Sequence, residues 1–517
     1  MSYWQKGEVF MKTYSKRGTA EKIRLQGRPE AIASTQKAEA ALDLRVFLER
    51  VKTAGELQVI QGGHWNLEIG AITEIFAESL NTQALLFDEI VDYPRGYRVL
   101  SNILKSPFRE ALALGMSPET TGIQLVNEVK ERLTKLKPIP PVEVKKGPVL
   151  ENIIEEKDVD ILRFPVPKWH EMDGGRYIGT FDAVICRDPD SGYVNIGTYR
   201  VQVHDEKTVG LCMIPGKHGE LIAQKYWSKG EECPFMVACG IPPSLILAGA
   251  VGIPWNVSEY DFLGGILGVP IPVVQGKITG LPMPAFSELV LEGYAPPPDR
   301  ASQPEGPFGE WPGYYASGAQ MAPIVRVKAV YHRSHPIITG SPPFKTYLNS
   351  ETPIYIRAAN IWSALERSGI PDVQGVWFPR QGRFIVAVSI RQRYSGHARQ
   401  AGLGVLATRD GGRDVRMVIV VDDDIDITNI NELLWAVSSR WDPKTASEIL
   451  DVPASSLNPR LAPEKKANKD WVSSCIVIDA CKPYSWRKEF PPVSAVASEY
   501  KQQVIHKWNH LLKKKQD

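Results

Sequence analysis

The first sustained apolar rhythm in the chain begins at Asp43. Leu44, Phe47, Leu48 and Val51 recur at helical spacing, and Asp43 stands where an N-cap belongs. A β-rich run at 57–60 follows. Residues 66–79 return to the helical period, with Ile69, Ile72, Ile75 and Phe76 assigned to the core face. Strands are expected at 84–87 and 97–100, then helices at 107–114 and 122–136. This alternation predicts an N-terminal α/β domain over 41–145, closing near the linker-like Pro138-Ile139-Pro140-Pro141. Residues 1–40 show little apolar periodicity and read as an N-terminal extension.

From about residue 146 the rhythm changes. Short β-rich runs at 180–186, 193–199, 210–214, 235–239 and 324–331 are separated by Gly- and Pro-rich turns. One helix, at 219–229, interrupts them. Regular short strands with such turns predict a β-barrel-like middle domain over 146–350. A good amphipathic helix at 353–368 (Ile356, Ala359, Ile361, Leu365) bridges to a last domain over 351–517. That domain holds strands at 384–390 and 415–421 and a helix at 430–438. A final helix at 493–512 carries an apolar stripe of Val496, Tyr500, Val504, Trp508 and Leu511, which needs a covering surface. A second copy of the chain is the expected cover, in preference to a membrane, although Lys513 to Lys515 form a basic end. The expected fold class is α+β.

At 517 residues the chain exceeds one ordinary core. Its formal net charge of +2 sets up no strong field for nucleic acid or membrane. No apolar run is long enough to span a bilayer. Met1-Ser2-Tyr3-Trp4-Gln5-Lys6 lacks the apolar core of a signal peptide. Six scattered cysteines without a C-x-x-C pair argue against a zinc site or disulfide framework and suit a reducing cytoplasm.

Pro304 to Tyr315 read P-E-G-P-F-G-E-W-P-G-Y-Y. Pro and Gly exclude a helix interior here. A loop walled by Phe308, Trp311, Tyr314 and Tyr315 can bury Glu305 and Glu310, and burial raises a carboxyl pKa toward what a proton donor needs. A surface turn with solvated acids is the equal alternative. Asn195 and Arg200 bracket a strand, and an Arg at a strand end can fork onto a carboxylate or phosphate; a plain surface arginine is the alternative. Lys217 and His218 lie at a strand-to-helix junction, which suits a phosphate, a metal-bridged phosphate or simply a helix cap. The small residues at 240–254 permit close backbone approach, and Glu259 after them is a candidate oxygen ligand. Asn, His and Glu together suit Mn²⁺ or Mg²⁺.

Other patterns read as structural. Gly402-Leu403-Gly404 has no buried strand before it and makes a poor dinucleotide loop. Asp422-Asp423-Asp424 reads as a solvated strand end. His332, His335 and His397 lack ligand spacing, and Glu288 and Glu292 fit no core alternation.

Several segments, taken in order, resemble one family. Asp173-Gly174-Gly175-Arg176-Tyr177-Ile178, residues 195–200, 215–218, Gly240-Ile241-Pro242-Pro243, Glu259, 284–293, 304–314, Asp423-Asp424-Ile425-Asp426 and Leu434-Trp435-Ala436 are similar to the UbiD-like decarboxylases, which use prenylated FMN. The resemblance implies a split β-barrel, flavin-binding middle domain and a C-terminal α/β oligomerisation domain joined by a helix. It implies a catalytic network of Arg200, Glu305 and Glu310: Glu310 as proton donor, Arg200 as clamp on the substrate carboxylate and flavin, Glu305 fixing Arg200. It implies that Asn195, His218 and Glu259 hold Mn²⁺ or Mg²⁺ against the cofactor phosphate, with K⁺ near the backbone of Ala248 and Val251. Lys217, Thr198 and Tyr199 would lie along the isoalloxazine, and Arg409 would stand in place of a family lysine. A homodimer or homohexamer, supplied with cofactor by a flavin prenyltransferase, is implied as well.

Trp311-Pro312-Gly313-Tyr314 departs from the Met-His-Gly-Tyr of ferulic acid decarboxylases, and the segment 479–487 resembles the hydroxyarylic acid branch. The expected substrate is therefore a small aromatic or heteroaromatic carboxylic acid, in a reversible, non-oxidative decarboxylation, with substrate choice around 453–461. Cinnamate-type acids, or a non-catalytic flavin-binding subunit of a carboxylase, are the alternatives.

Overall fold

A computed structural model of the chain describes residues 39–78, 82–345, 353–382 and 384–512. Most of the expected N-terminal extension, the side chain of Leu511 and the basic end at 513–515 lie outside the described residues.

The helix Leu44–Thr53 starts as its sequence requires. The Asp43 carboxylate accepts the Arg45 N–H at 2.8 Å, Arg50 and Lys52 complement the C-terminal dipole, and Leu44, Phe47, Leu48 and Val51 are buried. It covers a four-stranded sheet in the order Leu57–Gln61, Ala84–Asp88, Arg98–Ser101, Ile337–Thr339. The last strand comes from far along the chain and pairs parallel to Arg98–Ser101. In the helix Glu68–Ala77, Ile69, Thr73 and Ala77 face inward, but Ile75 is 64% exposed, contrary to its expected core position. At 100° per residue, Ile75 falls about a third of a turn off the stripe of Ile69 and Thr73.

The middle sheet has ten strands, all in antiparallel pairs. Its main path runs Arg176–Gly179, Val201–Val203, Thr208–Leu211, Gln320–His332, Leu289–Ala295, Cys233–Cys239, Asp182–Arg187, Val194–Gly197. The two ends of this path are joined by a very short connection. Val194–Gly197 is one edge, and after only Thr198, Tyr199 and Arg200 the chain enters Val201–Val203, next to the opposite edge. Four residue steps reach about 14 Å at most. The sheet must therefore curl until its edges nearly meet, giving a half-barrel with residues 198–200 across the seam.

Three helices, rather than the one expected, interrupt this sheet: His218–Trp227, Pro243–Gly249 and Glu259–Leu267. The second hides in a Pro- and Gly-rich run but begins with Pro at its first position, where no N–H is needed. The third is capped by Ser258 and stopped by Gly268 at φ +72°.

The last domain is a five-stranded sheet in the order Val373–Trp377, Ile385–Ile390, Met417–Asp422, Val472–Asp479, Ser447–Pro453, with the helix Ile354–Arg367 leading into it. Three of these strands carry no clear sequence signal. Gly402 and Gly404 lie inside the helix His397–Leu406. A Cβ at Gly402 would sit 2.3 Å from Val477 of the sheet and one at Gly404 2.8 Å from Leu365 of the helix Ile354–Arg367, so these glycines serve close packing of the helix on its neighbours.

Asp422-Asp423-Asp424 corrects its expectation as a solvated strand end. Asp422 is buried. Arg440 pairs with Asp424 at 2.9 and 3.0 Å and lies 3.4 Å from Asp422, Lys482 reaches Asp424 at 2.7 Å, and Arg391 reaches Asp423 at 2.8 Å. Glu288 and Glu292 are structural and fully buried. Arg45 holds Glu288 by two bonds of 2.8 Å, and Glu292 accepts from the Tyr331 and Thr279 hydroxyls.

The final helix, Ser498–Leu512, leaves helical geometry at Trp508 and exposes Tyr500, Val504 and Trp508. Among the described residues, no helix is long and apolar enough to cross a membrane. All six cysteines are free thiols.

Candidate active site

The PEGPFGE segment is a buried loop. Glu305 ends the strand Ser302–Glu305, which pairs with the long strand Gln320–His332. Glu305 is 2% exposed and Glu310 9%, so the alternative of solvated acids is excluded. A tight clasp forms Glu310's own turn. Its N–H donates to the Tyr314 carbonyl at 2.9 Å, and its carbonyl accepts from Gly313 at 2.7 Å. Gly313 has φ +84°, and a Cβ there would stand 2.5 Å from the Phe344 carbonyl, so the clasp needs glycine.

Arg200, from the seam of the half-barrel, enters between the two acids. Its Nε and Nη2 donate to both oxygens of Glu305 at 2.7 and 2.8 Å, and its Nη1 donates to Glu310. The fork geometry fixes the guanidinium plane. Burial works against the Arg200 charge, yet the hydrogen bond it donates to Glu305 and the neighbouring acids hold its pKa above the ordinary value. Glu310 sits above the usual carboxylate range because it is buried, with Arg200 opposing. One guanidinium facing two carboxyls balances one of them, so a proton on Glu310 leaves the trio neutral.

Supporting residues surround this trio, and three of them, Tyr177, Gln202 and Cys212, received no role from the sequence. The Tyr177 hydroxyl lies 3.0 Å from Glu305 and 3.2 Å from the Gln202 amide oxygen, which also accepts the Gly306 N–H at 2.9 Å. The Phe308 ring packs on Tyr177 at 4.2 Å between centroids. The Cys212 thiol lies beside Arg200 and Glu305, and burial pushes it up to about 12, so it stays protonated. One sequence signal for Gln202 existed: it is the lone polar residue between Val201 and Val203 in a buried strand.

Asn195, His218 and Glu259 come together on the other side of the seam. His218 and Glu259 are the first residues of their helices. The Tyr193 hydroxyl lies 3.4 Å from the Asn195 amide oxygen and 3.3 Å from His218 Nδ1, and Glu259 accepts the Ile196 N–H at 2.7 Å. Burial pushes the Glu259 carboxyl up to about 8, and the neighbouring charge acting on it, Asp261, is of the same sign. His218 is drawn below its usual value by burial and by Arg409 and Lys217. The Asn195 Nδ2 is buried without a partner. A neutral imidazole, an amide oxygen and a buried carboxyl without a counter-cation fit a divalent ion such as Mn²⁺ or Mg²⁺. Among the described residues no cluster of three His, Cys, Asp or Glu side chains has metal-holding geometry, and this set contains two of them and an amide.

A group of basic side chains lies beside this set. Lys217 is drawn down by burial and by Arg413 and Arg409. Asp414 opposes them in part and lies 3.9 Å from Arg413, so the cluster keeps a positive excess that an anion would relieve. Arg409 lies flat against Gly252, where a Cβ would stand 2.5 Å from its guanidinium carbon. Tyr199 is buried, and its hydroxyl accepts the Gly219 N–H at 3.1 Å, while Thr198 is exposed on the seam. The carbonyl of Ala248 accepts the Val251 N–H at 3.2 Å in the turn that ends the helix Pro243–Gly249.

Comparison with known proteins identifies the family. Residues 48–129, 141–345 and 354–480 match, respectively, the N-terminal domain, the Rift-related domain and the C-terminal domain described for 3-octaprenyl-4-hydroxybenzoate carboxy-lyase, the UbiD family. The pyrrole-2-carboxylic acid decarboxylase of Pseudomonas aeruginosa is 32% identical over 78% of this chain and 84% of its own length. A phenolic acid decarboxylase of Streptomyces sp. (strain D7) is 31% identical over 85% and 92%. The solved vanillic acid decarboxylase of Sedimentibacter hydroxybenzoicus superposes with a TM-score of 0.78 at 29% identity, over 92% of this chain and 99% of that one. The UbiD-class enzyme HmfF from Pelotomaculum thermopropionicum, solved with prFMN, does so with a TM-score of 0.75 at 26% identity, over 88% and 97%. Family descriptions, relatives and fold all converge: the chain belongs to the UbiD family and is a carboxy-lyase.

Proposed function

We propose that this protein is a prenylated-FMN-dependent decarboxylase of an aromatic or heteroaromatic carboxylic acid. The observation that carries the reading is Arg200 clamped between two buried carboxyls, beside a ligand set and a cationic cluster that fit a metal-tied phosphate. Relatives that act on pyrrole and phenolic acids support the substrate class.

Loss of CO₂ leaves an electron pair on carbon that side chains cannot delocalise, and the bound flavin supplies the electron sink. The chain supplies the rest. Glu305 holds Arg200 rigidly by two bonds, so the guanidinium edge toward Glu310 is the one that meets the substrate carboxylate. The carbon–carbon bond to the carboxyl breaks and CO₂ departs. Glu310 then delivers its proton to the carbon that lost CO₂ and is reprotonated from water. Run backwards, with bicarbonate in excess, the same groups serve carboxylation. The packed walls of Tyr177 and Phe308 keep bulk water from the trio.

Asn195, His218 and Glu259 would hold Mn²⁺ or Mg²⁺, with K⁺ beside the carbonyls near Ala248 and Val251. Lys217 and Arg409 would meet the cofactor phosphate. Lys217, Thr198 and Tyr199 would lie along the flavin ring. We read the chain as an extension followed by domains at 41–145, 146–350 and 351–517. We read it as a cytoplasmic homodimer or homohexamer supplied by a flavin prenyltransferase; six free thiols and the exposed apolar stripe of the last helix support this.

The test is co-expression with a flavin prenyltransferase. The bound cofactor is identified by spectrum and mass, and CO₂ release is measured from hydroxybenzoates, pyrrole and indole acids, and cinnamates. Prenylated FMN with release from an aromatic acid is expected. Release from cinnamates alone would replace the substrate class, and absence of flavin from folded protein would overturn the reading.

A further inference from the structure

The loop that bears Glu310 is tied down from two directions. On the half-barrel side, the Tyr315 hydroxyl donates to Asp173 at 2.9 Å, and Asp173 in turn accepts the His170 N–H at 2.9 Å. On the other side the contacts come from the last domain, which supplies none of the three residues of the Arg200–Glu305–Glu310 trio. The Trp311 ring, next in the chain to Glu310, packs on Phe384 at 5.0 Å between centroids. Lys466 donates its Nζ to the Ala316 carbonyl at 2.9 Å.

Both partners stand on firm ground. Phe384 directly precedes the strand Ile385–Ile390, and its carbonyl accepts the N–H groups of Arg416 and Met417 at 2.8 and 3.2 Å. Lys466 lies in the short helix Pro463–Ala467, held between two paired strands of the same sheet. One contact falls within the Glu310–Tyr314 clasp, at Trp311, and the other just past it, at Ala316.

We propose that Lys466 and Phe384 are positioning residues, through which docking of the last domain on the 311–316 loop sets the Glu310 carboxyl against Arg200. The proposal rests on the reading of Glu310 as proton donor. Misplacing a reacting group by about 1 Å can cost on the order of a hundredfold in rate, so a loop that loses one of two ties has a measurable effect. Lys466 also acts electrostatically. The groups that face Glu310 are Arg200, Glu305 and Lys466, with the Cys212 thiol behind Arg200, and the Lys466 charge favours the ionised carboxyl against its burial.

Lys466→Met, Lys466→Arg and Phe384→Ala in the holoenzyme test it. For Lys466→Met, kcat is expected to fall about tenfold with KM within about twofold. The alkaline limb of kcat/KM should move to higher pH, because removing a positive charge raises the Glu310 pKa. Lys466→Arg should restore both. Hydrogen–deuterium exchange across 308–318 provides a readout independent of turnover. The bonded amides of Glu310 and Gly313 should exchange faster in Lys466→Met and Phe384→Ala, at unchanged melting temperature. If the parent enzyme releases no CO₂ from any acid, the functional reading fails, while the exchange data still judge the ties. Exchange equal to the parent in both variants overturns the proposal, as does faster exchange with kcat and pH profile unmoved.

Discussion

Arg200 and Glu305 meet through two hydrogen bonds of 2.7 and 2.8 Å across 105 residues of chain. Neither residue could be fixed by its own element. Arg200 sits on a three-residue crossing between strands, and Glu305 at the last position of a four-residue strand. Each holds the other where the site needs it.

Removing Arg200 therefore exposes the cost of that arrangement. Arg200→Ala leaves the buried Glu305 carboxylate without its counter-charge and should destabilise the fold by about 3–5 kcal/mol. Denaturant titration at neutral pH measures this. Arg200→Lys keeps the charge but not the fork, so it should lose more turnover than stability.

Glu310→Gln keeps size and hydrogen bonding but removes the proton. Turnover should fall by about 10²–10⁴ while flavin content stays equal to the parent enzyme. Retained turnover would remove Glu310 from its role. In the parent enzyme, activity should decline as pH rises through the Glu310 pKa, which burial holds above the usual carboxylate range against Arg200. A pH series of kcat/KM reads that limb.

The ligand set is tested by composition rather than rate. His218→Ala and Asn195→Ala should each lower both Mn²⁺ content and retained flavin in purified protein, measured by elemental analysis and absorbance. Chelator dialysis of the parent protein should release flavin, and Mn²⁺ should restore its binding. Full flavin occupancy in metal-free protein would sink the assignment.

Gly174 is an unexpected control point. Its N–H donates to the Pro307 carbonyl at 2.8 Å, its carbonyl accepts from Gln202 at 3.2 Å, and a Cβ there would stand 1.9 Å from the Gly306 carbonyl. Gly174→Ala must displace the loop between Glu305 and Glu310. A loss of about 1–3 kcal/mol in stability is expected, with turnover reduced beyond what that loss explains. Thermal denaturation and turnover assayed well below the melting temperature separate the two effects.

Much of the architecture was legible because it is written locally. Asp43 announces a helix through its cap, the apolar period reveals the bridge helix at 354–367, and β-rich runs between Gly- and Pro-rich turns mark five of the half-barrel's ten strands. The strands Val373–Trp377, Ser447–Pro453 and Val472–Asp479 escaped because their stability comes from pairing within a sheet and not from a pattern of their own. Tyr177 and Gln202 escaped for a related reason: a polar group in an apolar strand carries no sign of the partner it will find.

The sequence by itself determined the local pieces and their chemistry: which stretches coil or extend, that Pro304 to Tyr315 cannot be a helix, and that Asn195, His218 and Glu259 are donors suited to a hard cation. Tertiary structure alone decided their convergence. The three-residue seam at 198–200 forces ten strands to curl, and that curl brings Arg200 to acids 105 and 110 residues away. It also decided that Ile75 faces outward and that Asp422 and Asp424 are paired by Arg440. The physical reason is that periodicity and capping depend on neighbours within a few residues. Burial, ion pairing and a raised carboxyl pKa depend on strand registers set across the whole chain.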